Sequence, residues 1–325
     1  MDDIKLSIIV PAYNLEQYIE QCINSIGAID DHIAEIILVD DGSKDHTPNI
    51  CDEFASKKSG IRVIHQTNSG AAVTRNTGMR VARGSFLMFV DGDDFLNPGA
   101  VQKVLALLSD NLDIICFNKF TEFYGNNDAF EQKHLNEKVL IDRNGDVSED
   151  TFQLVSPLPM PWLYVIKKDF ITTNNIYMTP GLLDEDEEWT ARLFACQPKV
   201  KVIQDGYYMY RRNRENSLTF GRALKNSLAD IEIIKLLQKE STEKNYSITG
   251  KRILDNKCRQ MVNKVLDDLP RLSKEDAKIA NNMVKPYRYL LKSGTRAQVI
   301  HYYFDSVLGR KNTSKLISKV ISMRK

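Results

Sequence analysis

The chain has 325 residues, 42% hydrophobic and 27% charged, with a net charge of +1, which fits a folded globular protein and excludes a disordered or fibrous one. Five scattered cysteines (Cys22, Cys51, Cys116, Cys196, Cys258), with no Cys-x-x-Cys pair, exclude a zinc module or disulfide framework and favour a reducing compartment. No run approaches the roughly 18 apolar residues of a membrane span, and MDDIKLSIIV lacks the features of a secretion signal, so a cytoplasmic protein is expected.

In chain order, KLSIIVPAY is a short apolar run ending in a turn, hence a buried strand. Tyr18, Ile19, Cys22, Ile23 and Ile26 then fall at helical spacing between Leu15 and Ile26. EIILVDD is a second buried strand, after which Ser43 or Asp45 is placed to cap a helix through Phe54. IRVIHQ is a third strand, about Ala71 to Ala82 a helix, SFLMFVD a fourth strand, Pro98 the start of another helix and LDIICFN a fifth strand. Strands alternating with helices indicate βαβ units and a mainly parallel sheet, an α/β fold. Residues 121–160 read as loop-rich, EDEEWTARLF as a helix, and KVKVIQDGYYMYRR as a hairpin-like pair around Asp205-Gly206. After Phe220 only helices are expected: LADIEIIKLLQKE, ILDNKCRQMVNKVLDDL, IHYYFDSVL and SKLISKVISM. The expected organisation is therefore an α/β domain over 1–220 and a helical region over 221–325.

Ligands of open parallel sheets bind beyond the carboxyl ends of the strands. Three polar clusters occupy such ends: Pro11-Ala12-Tyr13-Asn14, Asp40-Asp41-Gly42-Ser43 and Asp91-Gly92-Asp93-Asp94. Carboxylates this close repel one another, so a cation must compensate or the side chains must splay into water. A P-loop and a dinucleotide-binding glycine pattern are both absent. A hard divalent cation, Mg²⁺ or Mn²⁺, would reconcile an acidic rim with a phosphate ligand. Tyr13 is placed either to stack on a base or to enter the core, and Asp41 to accept a pyrimidine N–H or to form a turn. Asp94 either caps the next segment or serves the site. Arg211, Arg212 or Arg214 either meets a diphosphate or lies in a solvated turn.

These stretches, with SIIVPAYNLEQYIEQCINSI, EIILVDDGSKDHT, NSGAAVTRNTGMRVARGSFLMFVDGDDF and LLDEDEEWTARLF in that order, resemble the motifs of family-2 glycosyltransferases with the GT-A fold, over roughly residues 4–215. The resemblance implies a Rossmann-like mixed, mainly parallel sheet flanked by helices, a UDP-sugar donor, a divalent metal and inversion at the anomeric carbon. It implies that Pro11, Tyr13, Asp40 and Asp41 hold the nucleoside. Arg75 would lie near the sugar-diphosphate, Asp91 near the ribose and Asp93 on the metal. Asp186, with Glu185 beside it, matches the stretch that carries the catalytic base. Acids at 184–188 also suit a helix N-terminus. Trp162 resembles the aromatic that lines the acceptor side, the alternative being a core tryptophan. No Gln-x-x-Arg-Trp motif is present, which favours addition of one sugar per encounter. The implied acceptor is a glycan or lipid-linked saccharide of a bacterial surface polysaccharide.

The net charge conceals a polarity: 21 basic against 33 acidic residues in 1–220, and 23 against 10 in 221–325. Val299, Ile300, Tyr303, Phe304, Val307 and Leu308 form one stripe, and Leu316, Ile317, Val320 and Ile321 another among lysines. Such basic amphipathic helices are expected to contact the inner membrane surface, or to pack on the catalytic domain or a partner subunit, a homo-oligomer included. No nucleic-acid motif accompanies the charge. Two other functions compete: a sugar-nucleotide nucleotidyltransferase, which would want a glycine-rich basic loop near the first strand, and a non-catalytic glycan- or partner-binding protein.

Overall fold

A computed structural model describes residues 4–27, 29–124, 129–134, 158–212 and 224–293. The chain divides into two units, Met1–Gly181 with Cys196–Ser217, and Leu182–Ala195 with Leu218–Lys325. The amphipathic stripes of 299–325 and Arg214 lie outside the described residues.

The first unit is built on a nine-stranded sheet: β1 (Leu6–Ala12), β2 (Ala34–Asp40), β3 (Ile61–His65), β4 (Phe86–Phe89), β5 (Phe95–Leu96), β6 (Ile114–Tyr124), β7 (Ala129–His134), β8 (Tyr164–Lys167) and β9 (Val200–Arg212). Their order is β3-β2-β1-β4-β8-β6-β9-β5, with β7 on β6. The first four are parallel; β8 then runs antiparallel to both β4 and β6, and β6 and β9 are parallel again. Leu6, Ile8, Ile9 and Val10 of β1 and Ile36 to Val39 of β2 are buried, as central parallel strands covered on both faces require. The flanking helices are α1 (Ile19–Ile26), α2 (Thr47–Lys57), α3 (Ala71–Val81), α4 (Ala100–Leu107) and α5 (Lys168–Asn174).

Three local expectations change. First, the helix after β2 starts at Thr47, because the Ser43 hydroxyl accepts from the Asn14 amide (2.9 Å) instead of capping it. Second, the stretch from 121 to 160 contains the end of β6 and the whole of β7, paired antiparallel. Third, Asp205-Gly206 turns no hairpin: β9 runs through it as one strand of 13 residues. The register against β6 shifts on either side of Lys119, and a Cβ on Gly206 would lie 2.9 Å from the Lys119 carbonyl oxygen. Glycine thus serves a bulge and a close backbone approach, not a reversal.

The second unit is helical: α6 (Glu185–Ala195), α7 (Leu224–Glu243), α8 (Ile248–Asp268) and α9 (Lys274–Val284), with two 3₁₀ segments. Its core joins Ala191 and Ala195 of α6 to Ile231, Ile234 and Leu237 of α7 and Leu254, Cys258, Met261 and Val265 of α8. The sequence keeps α6 with the α/β domain; its apolar face puts it with the later helices. Among the described residues no helix is long and apolar enough to cross a membrane.

Candidate functional site

The strand order places a topological switch point between β1 and β4, since the chain runs outward through β2 and β3 and returns to the other side of β1. The β1–β4 ladder ends at Ile9 with Phe89. Beyond it the chain opens to Pro11, Tyr13 and Asn14 on one side and Asp91 to Asp94 on the other. Pro11 lies past that last pair, where a missing N–H interrupts nothing in the β1–β4 ladder. Tyr13 is 45% exposed, so of its two readings the core one is excluded.

Two loops form one wall. Asn14, with left-handed φ 52°, donates its amide to Ser43 Oγ and accepts the Lys44 amide on its side chain (2.8 Å). The Leu15 amide reaches Thr47 Oγ1 (2.7 Å), Glu16 N–H reaches Asp45 (3.0 Å), and the Glu16 carboxylate accepts the His46 amide (2.9 Å). The segments after β1 and β2 are therefore laced into one piece.

Asp40 and Asp41 stand beneath this wall, each 3% exposed. Asp40 accepts the Ser43 amide (3.1 Å) and pairs with His65 Nδ1 (3.0 Å), while His65 Nε2 meets Asp52 (3.1 Å). The hydrogen bond to Asp40, with the second carboxylate, raises the His65 pKa against its partial burial. Asp41 accepts three bonds: Gln66 Nε2 (2.7 Å) and the Ser69 amide (2.9 Å) on Oδ1, and the Gly70 amide (2.8 Å) on Oδ2. Asp41 thus holds the loop 66–70 that enters α3. These partners escaped the sequence reading; the only signal was that buried acids need donors.

The acidic tip finds its compensation within the chain. Arg75 of α3 donates to Asp91 Oδ1 at 2.7 Å. Asp94 is buried; its carboxylate accepts the Tyr208 hydroxyl (2.8 Å) and the Arg211 amide (2.7 Å). Burial, then the charges of Asp93 and Asp91, push the Asp94 pKa well up. Gly92 admits no side chain: a Cβ would lie 2.8 Å from Leu15 Cδ1 and 2.9 Å from the Pro11 carbonyl. Asp93 sits half-buried at the turn.

This donor set fits a hard divalent cation. The tip offers only oxygen ligands. Mg²⁺ or Mn²⁺ is ordinarily held by one or two carboxylates completed by phosphates and water. Among the described residues the one grouping of three closely spaced ligand side chains is Asp30, Asp31 and His32, all exposed, and nothing else there points to an ion.

Arg211 and Arg212 both have partners within the chain. The Arg211 guanidinium lies over Tyr18 (4.9 Å), Phe123 (5.2 Å) and Phe95 (5.6 Å), with Nε on the Asp93 carbonyl (2.9 Å). Arg212 pairs with buried Glu122 (2.5 Å) and lies over Tyr210. Both lie in β9, so the solvated-turn reading does not hold for either. Trp162 is 3% exposed, stacked on Tyr208 at 4.2 Å and 9° and edge-on to Phe120, so its ring supports the aromatic layer and not an open acceptor face.

In the helical unit, Asp186 and Glu185 stand in the first turn of α6, where Asp186 Oδ1 accepts the Glu187 amide at 2.9 Å. Their neighbours are ion-paired: Asp184 with Lys264 (3.0 Å), Glu187 with Lys257 (2.6 Å) and Glu188 with Arg192 (2.5 Å). Lys264 also meets buried Asp230 at 2.8 Å. The acidic run is thus relieved by cations from α6 and α8 as well as by the helix dipole.

Residues 7–161 match the family model Glycosyl transferase family 2. The uncharacterized glycosyltransferase EpsJ of Bacillus subtilis (strain 168) is 33% identical over 221 residues, 66% of this chain and 62% of that protein. The chain thus spans about 62% of the length of that relative. The S. aureus TarS 1–349 crystal structure in complex with UDP-GlcNAc superposes with TM-score 0.72 at 18% identity, covering 95% of this chain and 89% of that one. The Pyrobaculum calidifontis mannosyltransferase PcManGT, in complex with GDP-Man and Mn²⁺, gives TM-score 0.52 at 14% identity, covering 95% and 88%. These likenesses agree with the mixed, mainly parallel sheet described above: the chain carries a GT-A fold, and its residues 7–161 resemble glycosyl transferase family 2.

Proposed function

We propose that the protein transfers a single hexosyl or N-acetylhexosaminyl group from a UDP-sugar to a saccharide or lipid-linked acceptor in surface polysaccharide synthesis, with inversion and with the help of Mn²⁺ or Mg²⁺. The observation that carries this reading is the acidic tip at the switch point, where Arg75 balances Asp91 and Asp93 stands half-buried at the turn. The TarS structure in complex with UDP-GlcNAc supports a nucleotide-sugar donor, and the PcManGT complex with GDP-Man and Mn²⁺ supports a divalent ion.

In this mechanism Tyr13 covers the base, Asp40 and Asp41 hold the wall and the loop 66–70 around the nucleoside, and Asp91 orients the ribose. Arg75 lies by the sugar-diphosphate while fixing Asp91. Asp93 would hold the metal, which supplies Lewis-acid stabilisation of the charge that develops on the leaving diphosphate. Asp186 takes the proton of the acceptor hydroxyl as its oxygen bonds to the anomeric carbon and the bond to UDP breaks; Glu185 lies on the acceptor side. The basic C-terminal segment would hold the protein on the inner face of the membrane, at the lipid-linked acceptor.

The test is UDP titration with and without Mn²⁺, followed by UDP-sugar hydrolysis and transfer. Asp93→Ala should remove the Mn²⁺-dependent gain in UDP affinity; an unchanged gain would refute the metal assignment. Asp186→Asn should bind donor normally and lose transfer, and retained transfer would refute the base. Removing residues 295–325 should abolish binding to anionic vesicles.

A further inference from the structure

We infer that Arg211 is a positioning residue for the acidic tip: from the end of β9 it sets the direction in which Asp93 presents its carboxylate, and so the affinity the site would have for a divalent cation in the presence of a nucleoside diphosphate. The inference rests on the reading of Asp93 as the metal ligand and extends it to a residue outside the tip.

β9 grips the tip at successive positions. The Asp91 amide donates to the Tyr208 hydroxyl oxygen (3.0 Å), and that hydroxyl donates to Asp94 Oδ2 (2.8 Å). The Arg211 amide donates to Asp94 Oδ1 (2.7 Å), and its Nε donates to the Asp93 carbonyl (2.9 Å). On the other side, the Gly92 amide donates to the Pro11 carbonyl (3.3 Å). The backbone is therefore fixed both before and after the Asp93 Cα, which sets where the side chain leaves the chain. Pairing of Phe95 with Met209 and of Leu96 with Tyr208 continues the same grip into β5.

Arginine suits this post. A guanidinium presents several donors in one rigid plane and stacks on aromatic faces, so it can be held still while it donates. Here the rings of Tyr18, Phe95 and Phe123 surround it, and its Nη2 donates to Gln21 of α1 at 2.6 Å. Trp162, stacked on Tyr208, locks the neighbouring hydroxyl in the same way. A lysine has one donor centre and cannot hold both the Asp93 carbonyl and Gln21. Partners that orient a metal ligand typically change metal affinity by about 10–100-fold when lost.

The experiment compares UDP affinity with and without Mn²⁺ in the full-length chain, wild type against Arg211→Met and Arg211→Lys. In both variants the metal-free affinity should stay close to wild type, while the Mn²⁺-dependent gain should fall about 10–100-fold. A merely structural role would lower the melting temperature and leave that gain intact, which would overturn the inference. Equal loss of metal-free and metal-dependent affinity would also overturn it, since Arg211 would then support the whole rim. A wild type without any Mn²⁺ gain would refute the metal reading itself, and is seen before any variant is made. Should Arg211→Met fail to fold, Tyr208→Phe removes one hydroxyl from the same grip; its Mn²⁺ gain should also fall, and an unchanged gain counts against the inference.

Discussion

Replacing Asp41 by asparagine changes one atom in a buried side chain and tests what holds the nucleotide wall. Asparagine can keep its amide oxygen where Oδ1 accepts Gln66 and Ser69, but its NH₂ then faces the Gly70 N–H that Oδ2 accepted at 2.8 Å. One charge-assisted bond is lost, worth about 1.5–3 kcal/mol, and a donor is left facing a donor in a site with little access to water. The remaining two bonds weaken as the charge disappears. A destabilisation of roughly 2–4 kcal/mol follows, part of it relieved by opening of the loop 66–70. Because that loop leads into α3, which carries Arg75, UDP affinity should fall about tenfold or more, each factor of ten being ~1.4 kcal/mol. Urea unfolding and UDP titration on the same preparation check both numbers. Wild-type stability would mean that the three bonds do not hold the loop. Lost stability with wild-type affinity would mean that the loop is no part of the nucleotide wall.

Other outcomes are expected away from that loop. Lys264→Met leaves the buried carboxylate of Asp230 without its lysine and frees Asp184, so it should cost about 3–5 kcal/mol in urea unfolding; an unchanged midpoint would show that the network is dispensable. Gly92→Ala meets Leu15 and the Pro11 carbonyl and should destabilise by ~1–3 kcal/mol, with loss of the Mn²⁺-dependent UDP affinity. Glu35 is fully buried, and although burial favours its neutral form, bonds from the Arg83 amide, Ser7, Arg62 and the Arg83 side chain lower its pKa. Its stabilising contribution is therefore present above the unfolded glutamate value of about 4.3 and is lost as pH falls through the lower folded value, so Glu35→Gln should flatten the acid limb of stability against pH. His65 works in the opposite sense: its raised pKa makes a contribution present below about pH 6.5 that disappears as pH rises through the folded value, and His65→Asn should remove that slope.

The parallel half of the sheet was legible because its strands are continuous apolar runs that end in turn chemistry, and each acid-bearing end follows one. What sequence could not show was pairing at a distance. Arg75 lies 16 residues from Asp91 and Arg211 lies 118 from Asp93, and nothing local tells which arginine serves the acids and which a ring. Asp205-Gly206 carries the turn residues of a hairpin, yet the register of β6 decides that it forms a bulge. Trp162 was ambiguous for a like reason: a stack on Tyr208 exists only after β9 has been brought beside β6.

Cys22 lies fully buried on α1 with its sulfur 3.6 Å from the Asp91 carbonyl oxygen, and burial, then the neighbouring aspartates, raise its pKa far above that of a free thiol. A native reporter is therefore built in under the acidic turn. Alkylating reagents need the thiolate and a path to it, so they reach this sulfur only when α1 or the turn lifts. The rate at which Cys22 is modified, counted apart from half-exposed Cys196, becomes a clock for that lifting, readable by mass spectrometry without any introduced label.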